Sequence, residues 1–149
     1  MEVKIADKAG FCFGVDRAVK IAYSLAEEEE NLVTYGMLIH NRDVTEDLER
    51  CGVGMIHAME ELTPDTTVVI RAHGISKAEQ EAILNCGAKM IDATCPYVKK
   101  IHHIVEKAHD AGRQIIICGD AAHPALSAVD DNADHTAIPT SSIHLSRFL

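Results

Sequence analysis

The chain has 149 residues, of which 47% are hydrophobic and 25% charged, a balance typical of a folded globular protein. Aromatic residues make up only 4%, and 23 acidic against 14 basic residues give a net charge of −9. These values argue against a general nucleic-acid-binding protein, which needs a cationic surface and often uses stacking aromatics. The length fits one domain with the start of a second.

The sequence also lacks the features of a membrane or exported protein. The longest apolar run, residues 115–118, has the length of a buried strand rather than of a membrane span. The first five residues show no basic segment followed by an apolar one, so we expect a cytoplasmic protein with no membrane partner. In that compartment the five cysteines are expected to be free thiols or metal ligands.

Short β-type runs alternate with helical stretches through the first half of the chain. The elements predicted there are a strand over 3–6, a helix over 15–29 with a solvated acidic end at 27–30, an extended segment over 32–39, a helix over 43–50, a strand over 53–56, a turn at 63–65 and a strand over 68–70. The last of these is a continuous β-branched run, which is typical of a strand covered on both faces.

The alternation continues in the second half. Ser76, with Glu79 three residues later, has the spacing of a capping box for a helix that ends at Cys86 and Gly87. The elements predicted after it are a strand over 89–92, a helix from Pro96 to about 111, a strand over 114–118, a strand at 137–138 and the start of a helix over 141–149. The sequence therefore predicts an α/β fold with a mostly parallel sheet.

Cysteine and histidine residues follow several of the predicted strands, in the turns that lead into helices. Parallel sheets place ligand sites at the carboxyl ends of their strands, so we expect these side chains to lie along one edge. The candidates are Cys12, His40, His73, Cys95 and His123. Thiolates suit iron–sulfur clusters or zinc, while imidazoles beside helix N-termini suit an anion such as phosphate.

Each candidate also has an ordinary explanation when taken singly. A histidine in a turn is usually a polar loop residue, a cysteine can be a packed thiol, and Gly10 and Gly14 can simply allow a tight turn. The remaining cysteines and histidines are interpreted as structural. Cys51, Cys86 and Cys118 are expected to be small, partly buried hydrophobes, and the histidines expected at the surface are His57, His102, His103, His109, His135 and His144.

The candidates lie within an ordered series of short motifs. They are Gly10-Phe11-Cys12-Phe13-Gly14-Val15, His40-Asn41, Ala72-His73-Gly74, Asp92-Ala93-Thr94-Cys95-Pro96 and His123-Pro124. In this order and at these intervals they resemble the motifs of the 4-hydroxy-3-methylbut-2-enyl diphosphate reductase family (LytB) over about residues 1–124. The resemblance implies reductive dehydroxylation of an allylic diphosphate to isopentenyl and dimethylallyl diphosphates, in the methylerythritol phosphate route to isoprenoids.

The resemblance also implies a cofactor, partners and residue roles. Cys12 and Cys95 correspond to two of three cysteines that hold a 4Fe-4S cluster, with electrons supplied by a ferredoxin or flavodoxin. His40, His73 and His123 correspond to residues that bind the isoprenoid diphosphate, and His123 also to one that helps to deliver protons. The third cysteine of the family falls beyond residue 149, and Ala125 replaces a glutamate thought to relay protons. We therefore expect this chain to be truncated and weakly active or inactive alone.

In architecture, the resemblance implies a three-lobed clover leaf. Residues 1–95 would form the first α/β lobe, with its N-terminal strand either in that lobe or in a missing one, and residues 96–149 an incomplete second lobe. Two other functions remain open: a non-catalytic module that binds diphosphate or pairs with another chain, and a zinc site at Cys12 and Cys95 with a histidine. An isolated lobe leaves apolar surface uncovered, which predicts self-association or a partner that supplies the missing lobe.

Overall fold

A computed structural model describes residues 2–7, 9–119, 128–129 and 136–139. Helices and strands alternate along the described chain, with a short 3-10 helix at Met59–Glu61. The helices are α1 (Phe13–Ala26), α2 (Arg42–Arg50), α3 (Lys77–Cys86) and α4 (Pro96–Asp110). The strands are β1 (Leu32–Tyr35), β2 (Gly54–Ile56), β3 (Thr67–Ile70), β4 (Lys89–Asp92), β5 (Ile116–Gly119) and β6 (Thr136–Pro139). Among these residues no helix is both long and apolar enough to cross a membrane.

The strands form two parallel sheets. Four of them pair in the order β2-β1-β3-β4, and every pairing is parallel. Strands β5 and β6 form a separate parallel pair, which includes the strand predicted at 137–138. The predicted α/β fold with a parallel sheet is therefore confirmed.

The core lies on both faces of the four-stranded sheet, and β3 contributes to both. Val69 is fully buried in a cluster with Ala18 and Ala22 of α1. Val68 and Ile70 point to the opposite face, into a cluster that contains Ile83 of α3. Burying side chains of this size contributes roughly 1.5–3 kcal/mol each, so β3 is the element that fixes the sheet between its helices.

The helix boundaries follow from local chemistry. The Ser76 hydroxyl accepts from the Glu79 amide and the Glu79 carboxylate accepts from the Ser76 amide, which confirms the predicted capping box. Helix α2 begins after Asn41, whose side chain caps the Val44 amide. By contrast, the N-caps of α1 and α4 are Cys12 and Cys95, and neither thiol makes a capping hydrogen bond.

Several predicted elements differ from the observed ones. Residues 3–6 form no strand, because they pair with no strand among the described residues, and Val3 and Ile5 are 76% and 83% exposed. The extended segment ends at Tyr35, where Gly36 takes a φ of 65° that breaks the ladder. Helix α1 ends at Ala26, so the acidic run lies outside it. Within that run Glu29 is not simply solvated, since it accepts from Thr67 and pairs with Lys89.

Candidate functional site

Backbone hydrogen bonds tie together the loops that follow β1, β3 and β4. The Ala72 amide donates to Leu38 O at 3.2 Å, which joins the β3 loop to the β1 loop. The Cys95 amide donates to Ala72 O at 2.9 Å, which joins the β4 loop to the β3 loop. The carboxyl ends of parallel strands lie at one edge of the sheet. The two backbone hydrogen bonds extend the strand pairing into the loops, so that the loops of His40, His73 and Cys95 lie side by side at this edge.

Two of the predicted histidines are in direct contact. The ring centroids of His40 and His73 lie 4.5 Å apart, with the ring planes tilted by 45°. His40 is exposed and directly precedes the N-cap of α2, while His73 is partly buried. A pair of imidazoles next to a helix N-terminus offers N–H donors and positive potential to an anion.

Arg71 adds a guanidinium to the same edge. Its Nε donates to Gly74 O at 3.3 Å, and its guanidinium carbon lies 5.7 Å from the centroid of the Tyr35 ring. These contacts hold the arginine next to the His73 turn at the end of β3. The edge therefore carries cationic character although the whole chain is acidic.

The two candidate thiols stand at the amino-terminal ends of α1 and α4, and glycine brings these ends together. A Cβ placed on Gly14 would lie 2.8 Å from the Cβ of Cys95 and closer still to its Sγ. Only a residue without a side chain allows the first turn of α1 to lie this close to Cys95. Cys12 is exposed and Cys95 is partly buried. The thiolate is the form of cysteine that binds metals.

The donor set fits part of an iron–sulfur ligand set. Cys12 and Cys95 place two soft thiol groups on adjoining helix ends, which Gly14 allows to approach closely. Within the part of the chain that the structure describes, however, no group of three or more histidine, cysteine or carboxylate side chains is placed to hold a metal ion. The described residues thus bring two candidate thiol ligands together, fewer than a complete metal site needs.

The loop that leads into Cys95 is fixed by Asp92. Its Oδ1 accepts from the Thr94 amide at 2.8 Å, and its Oδ2 forms an ion pair with Lys99 Nζ at 2.5 Å. Burial alone would raise the pKa of Asp92, but Lys99 and Thr94 outweigh it and hold the pKa below its ordinary value. Asp92 is therefore ionised at neutral pH and keeps the loop closed.

Sequence reasoning missed Arg17, which contacts the same loop from α1. Its Nη1 donates to Thr94 O at 3.3 Å and its Nη2 to Asp92 O at 3.4 Å. The available signal was its position three residues after Gly14, on the helix face that meets Cys95. Gly14 was predicted as a turn glycine, but it lies inside α1 and has no positive φ. A glycine is needed there because the helix lies very close to Cys95.

His102 was wrongly assigned to the surface. It is partly buried, its Nε2 has no hydrogen-bond partner among the described residues, and its ring lies 3.1 Å from the position of a Cβ on Gly74. Burial lowers the pKa of His102, against the opposing effects of Glu106 and Asp92. A histidine on an amphipathic helix gives no sign in sequence of the loop that will cover it.

The other structural assignments are mostly confirmed. His57, His103 and His109 are exposed as predicted, and Cys86 is partly buried. Cys51 is exposed rather than partly buried, because it caps the end of α2. Cys118 lies in β5, as predicted, but its side chain is not described. The predictions at His123, Ala125, His135 and His144, and the helix expected from 141, fall outside the described residues.

Comparisons with known proteins converge on one family. The family model described as LytB protein matches residues 3–146. A 4-hydroxy-3-methylbut-2-enyl diphosphate reductase from Caldanaerobacter subterraneus subsp. tengcongensis is 42% identical over 147 residues, covering 96% of this chain and 51% of the relative. The chain thus spans about half the length of the curated relatives that it matches.

Solved structures give the same match. The structure of a (E)-4-hydroxy-3-methyl-but-2-enyl diphosphate reductase, described as the terminal enzyme of the non-mevalonate pathway, superposes with a TM-score of 0.78 at 36% identity. The match covers 95% of this chain and 51% of that one. The E-1-hydroxy-2-methyl-but-2-enyl-4-diphosphate reductase from Plasmodium falciparum gives a TM-score of 0.85 at 26% identity, over 96% and 45% of the two chains.

Proposed function

Because the chain belongs to the LytB protein family, we propose that it forms the amino-terminal part of a 4-hydroxy-3-methylbut-2-enyl diphosphate reductase site. The reaction of the complete enzyme replaces the hydroxyl of an allylic diphosphate with hydrogen. Two electrons and two protons enter, the C–O bond breaks, and the oxygen leaves as water. The products are isopentenyl and dimethylallyl diphosphates, and the electrons come from a ferredoxin or flavodoxin in the cytoplasm.

The observation that carries this proposal is the packing of Gly14 against Cys95. It places two thiol-bearing helix ends together, and the bond from the Cys95 amide to Ala72 O joins them to the turn of His73. Thiols and imidazoles therefore lie along one edge of the sheet. This arrangement suits a site that holds an iron–sulfur cluster beside an anionic substrate.

In the proposed site Cys12 and Cys95 supply two of the thiolates that hold a 4Fe-4S cluster. When bound, such a cluster delivers electrons and offers an iron that acts as a Lewis acid. His40 and His73, with the N-terminus of α2, bind and orient the diphosphate and offset its charge. His123, a residue outside the described part, is proposed to bind the substrate and to help deliver protons as a catalytic residue.

Ala125 limits the activity proposed for this chain. Its methyl group transfers no proton and accepts no hydrogen bond from a hydroxyl, so the step that the family assigns to a glutamate has no counterpart at that position. We therefore propose weak or absent reductase activity for the 149-residue chain alone. The same alanine favours a second function, a non-catalytic module that binds diphosphate through His40, His73 and His123 or pairs with a chain that supplies the missing lobe. The contact between His40 and His73 supports the diphosphate-binding alternative.

The division of the chain into two lobes also stays a proposal. The β2-β1-β3-β4 sheet falls within the proposed first lobe, residues 1–95, and the β5-β6 pair falls within the proposed second, residues 96–149. The N-terminal strand expected over residues 3–6 does not form in the described chain.

Anaerobic reconstitution with iron and sulfide tests the proposed cluster. We expect the wild-type chain to retain iron and to show the visible and spin-resonance spectra of a cluster, and Cys12→Ser and Cys95→Ser to lose both. Cys51→Ser is the matched control, because Cys51 is an exposed thiol at the far end of α2. Iron that is retained equally in all four proteins would contradict the assigned ligands.

A further inference from the structure

We propose that Arg17 is a positioning residue that locks the Cys95 loop against the helix that carries Cys12. The positioning of the loop by Arg17 is argued from the described contacts alone. The consequence of this positioning for metal binding rests on the proposed function. Arg17 lies in the second turn of α1, five residues after Cys12, and its side chain reaches the loop between β4 and α4. It is thus a direct side-chain link between the two thiol-bearing segments.

The link uses both ends of the guanidinium. Nη1 donates to Thr94 O at 3.3 Å and Nη2 to Asp92 O at 3.4 Å, so one rigid planar group spans two carbonyls of the loop. Arg17 is partly buried, and among the described residues no carboxylate lies within ion-pairing distance of it. Its charge is directed at the loop backbone rather than neutralised by an acid.

The other polar groups of the loop are already committed elsewhere. The Asp92 carboxylate is held by the Thr94 amide and by Lys99, and the Cys95 amide donates to Ala72 O. These bonds fix the loop to β4, to α4 and to the neighbouring β3 loop. None of them connects the loop to α1. Among the described residues Arg17 makes the polar connection, beside the burial of Ala93 in the α1 core cluster and the close contact of Gly14 with Cys95.

Loss of Arg17 therefore has a local effect. Without the guanidinium, Thr94 O and Asp92 O lose their charged donor, and no other described side chain joins these carbonyls to α1. The core around β3 does not involve Arg17, so the sheet stays folded while the loop opens more often. The two thiols are then held less firmly relative to each other.

Amide hydrogen exchange on the iron-free chain tests the positioning role without any cluster. In Arg17→Met, which keeps the apolar stem, we expect the Thr94 and Cys95 amides to exchange about tenfold faster, which corresponds to about 1.4 kcal/mol. The buried Val69 amide of β3 should exchange as in the wild type. The control is Lys20→Met, one turn further along α1, where an exposed lysine pairs only with Asp16 among the described residues.

Two variants separate the possible outcomes. Unchanged exchange at Thr94 and Cys95 in Arg17→Met, or an equal increase in Lys20→Met, would overturn the proposal. So would an equal increase at Val69, which would make Arg17 a general stabiliser. Arg17→Lys should lie between methionine and wild type, because an ammonium group does not span both carbonyls; a lysine variant identical to wild type would overturn the need for two donors.

The consequence for metal binding is measured separately. After anaerobic reconstitution, the Arg17→Met protein should lose its iron to a chelator about tenfold faster than Lys20→Met or wild type, with an altered spin-resonance signal. Equal rates of loss would overturn the link between Arg17 and the cluster. A wild-type chain that binds no iron would contradict the proposed function, whereas the exchange experiment would still decide the role of Arg17.

Discussion

Gly14 and Cys95 lie in van der Waals contact across two helix ends, and the contact leaves no room for a side chain at position 14. A Cβ there would lie 2.8 Å from the Cβ of Cys95, a separation that real Cβ atoms essentially never show. The backbone of Gly14 is ordinary helix, so the glycine is required by proximity and not by its own φ and ψ angles.

Gly14→Ala is expected to force α1 and the Cys95 loop apart. The added methyl group should destabilise the fold by about 1–3 kcal/mol, the usual effect of overpacking, against a smaller gain in helix propensity. Thermal unfolding measures the stability, and iron content after reconstitution measures the site. Ser24→Ala, at an exposed position of α1, is the control; a Gly14→Ala protein that matches it in both measurements would refute the required proximity.

Removing the histidine pair is expected to weaken the binding of inorganic diphosphate. His40→Ala and His73→Ala each remove a ring that offers a donor to the anion, so each should raise the dissociation constant about tenfold, as for one charged hydrogen bond. Isothermal titration of the iron-free chain gives the constants. His57→Ala removes an exposed histidine outside the pair, and an equal loss there would mean that binding is non-specific.

Asp92→Asn is expected to make stability less dependent on pH in the acid range. The folded pKa of Asp92 is depressed, so its contribution is present above the unfolded value of about 4 and is lost as the pH falls through the folded value. Urea unfolding at pH 7 should therefore show that Asp92→Asn has a free energy of unfolding about 1 kcal/mol lower than wild type. This difference should disappear at low pH. Asp110→Asn, at the exposed end of α4, should show no such pattern.

Much of this fold could be predicted because the signals are local. The β-branched run of β3, the capping box at Ser76 and Glu79, and the glycine after α3 each fix an element through neighbours in sequence. The placement of Cys12, His40, His73 and Cys95 before helices follows from the same alternation. Parallel pairing then brings the loops of β1, β3 and β4 to one edge.

What could not be predicted depends on contacts between distant segments. Arg17 and Asp92 are 75 residues apart, and nothing in the periodicity of α1 indicates that a guanidinium will reach a later loop. The burial of His102 is set by Gly74, on another element. The segment at residues 3–6 shows the opposite case, where β propensity is present but no neighbouring strand in the described chain completes the ladder.

His102 is expected to make the fold sensitive to mild acid. Its folded pKa lies below the ordinary 6.5, so its contribution is present above that value and is lost as the pH falls through the folded pKa. Protonation would place a charge on a ring packed against Gly74. Denaturant unfolding should show that His102→Gln loses less stability than wild type between pH 7.5 and about 5.5. The exposed neighbour gives the control, and His103→Gln should follow the wild-type curve.

The apolar face of α4 is expected to make the chain associate with itself. Tyr97, Ile101 and Ile104 are 71%, 51% and 56% exposed, and their spacing of four and three residues places them on one side of the helix. Ile101→Lys should interrupt this face and shift the chain toward the monomer in sedimentation velocity at matched concentrations. Leu84→Lys replaces a residue that is 60% exposed on α3 and should leave the association unchanged. A wild-type chain that stays monomeric over a wide range of concentrations would show that the face does not bind a second copy, and an equal effect of Leu84→Lys would show that association follows net charge rather than this face.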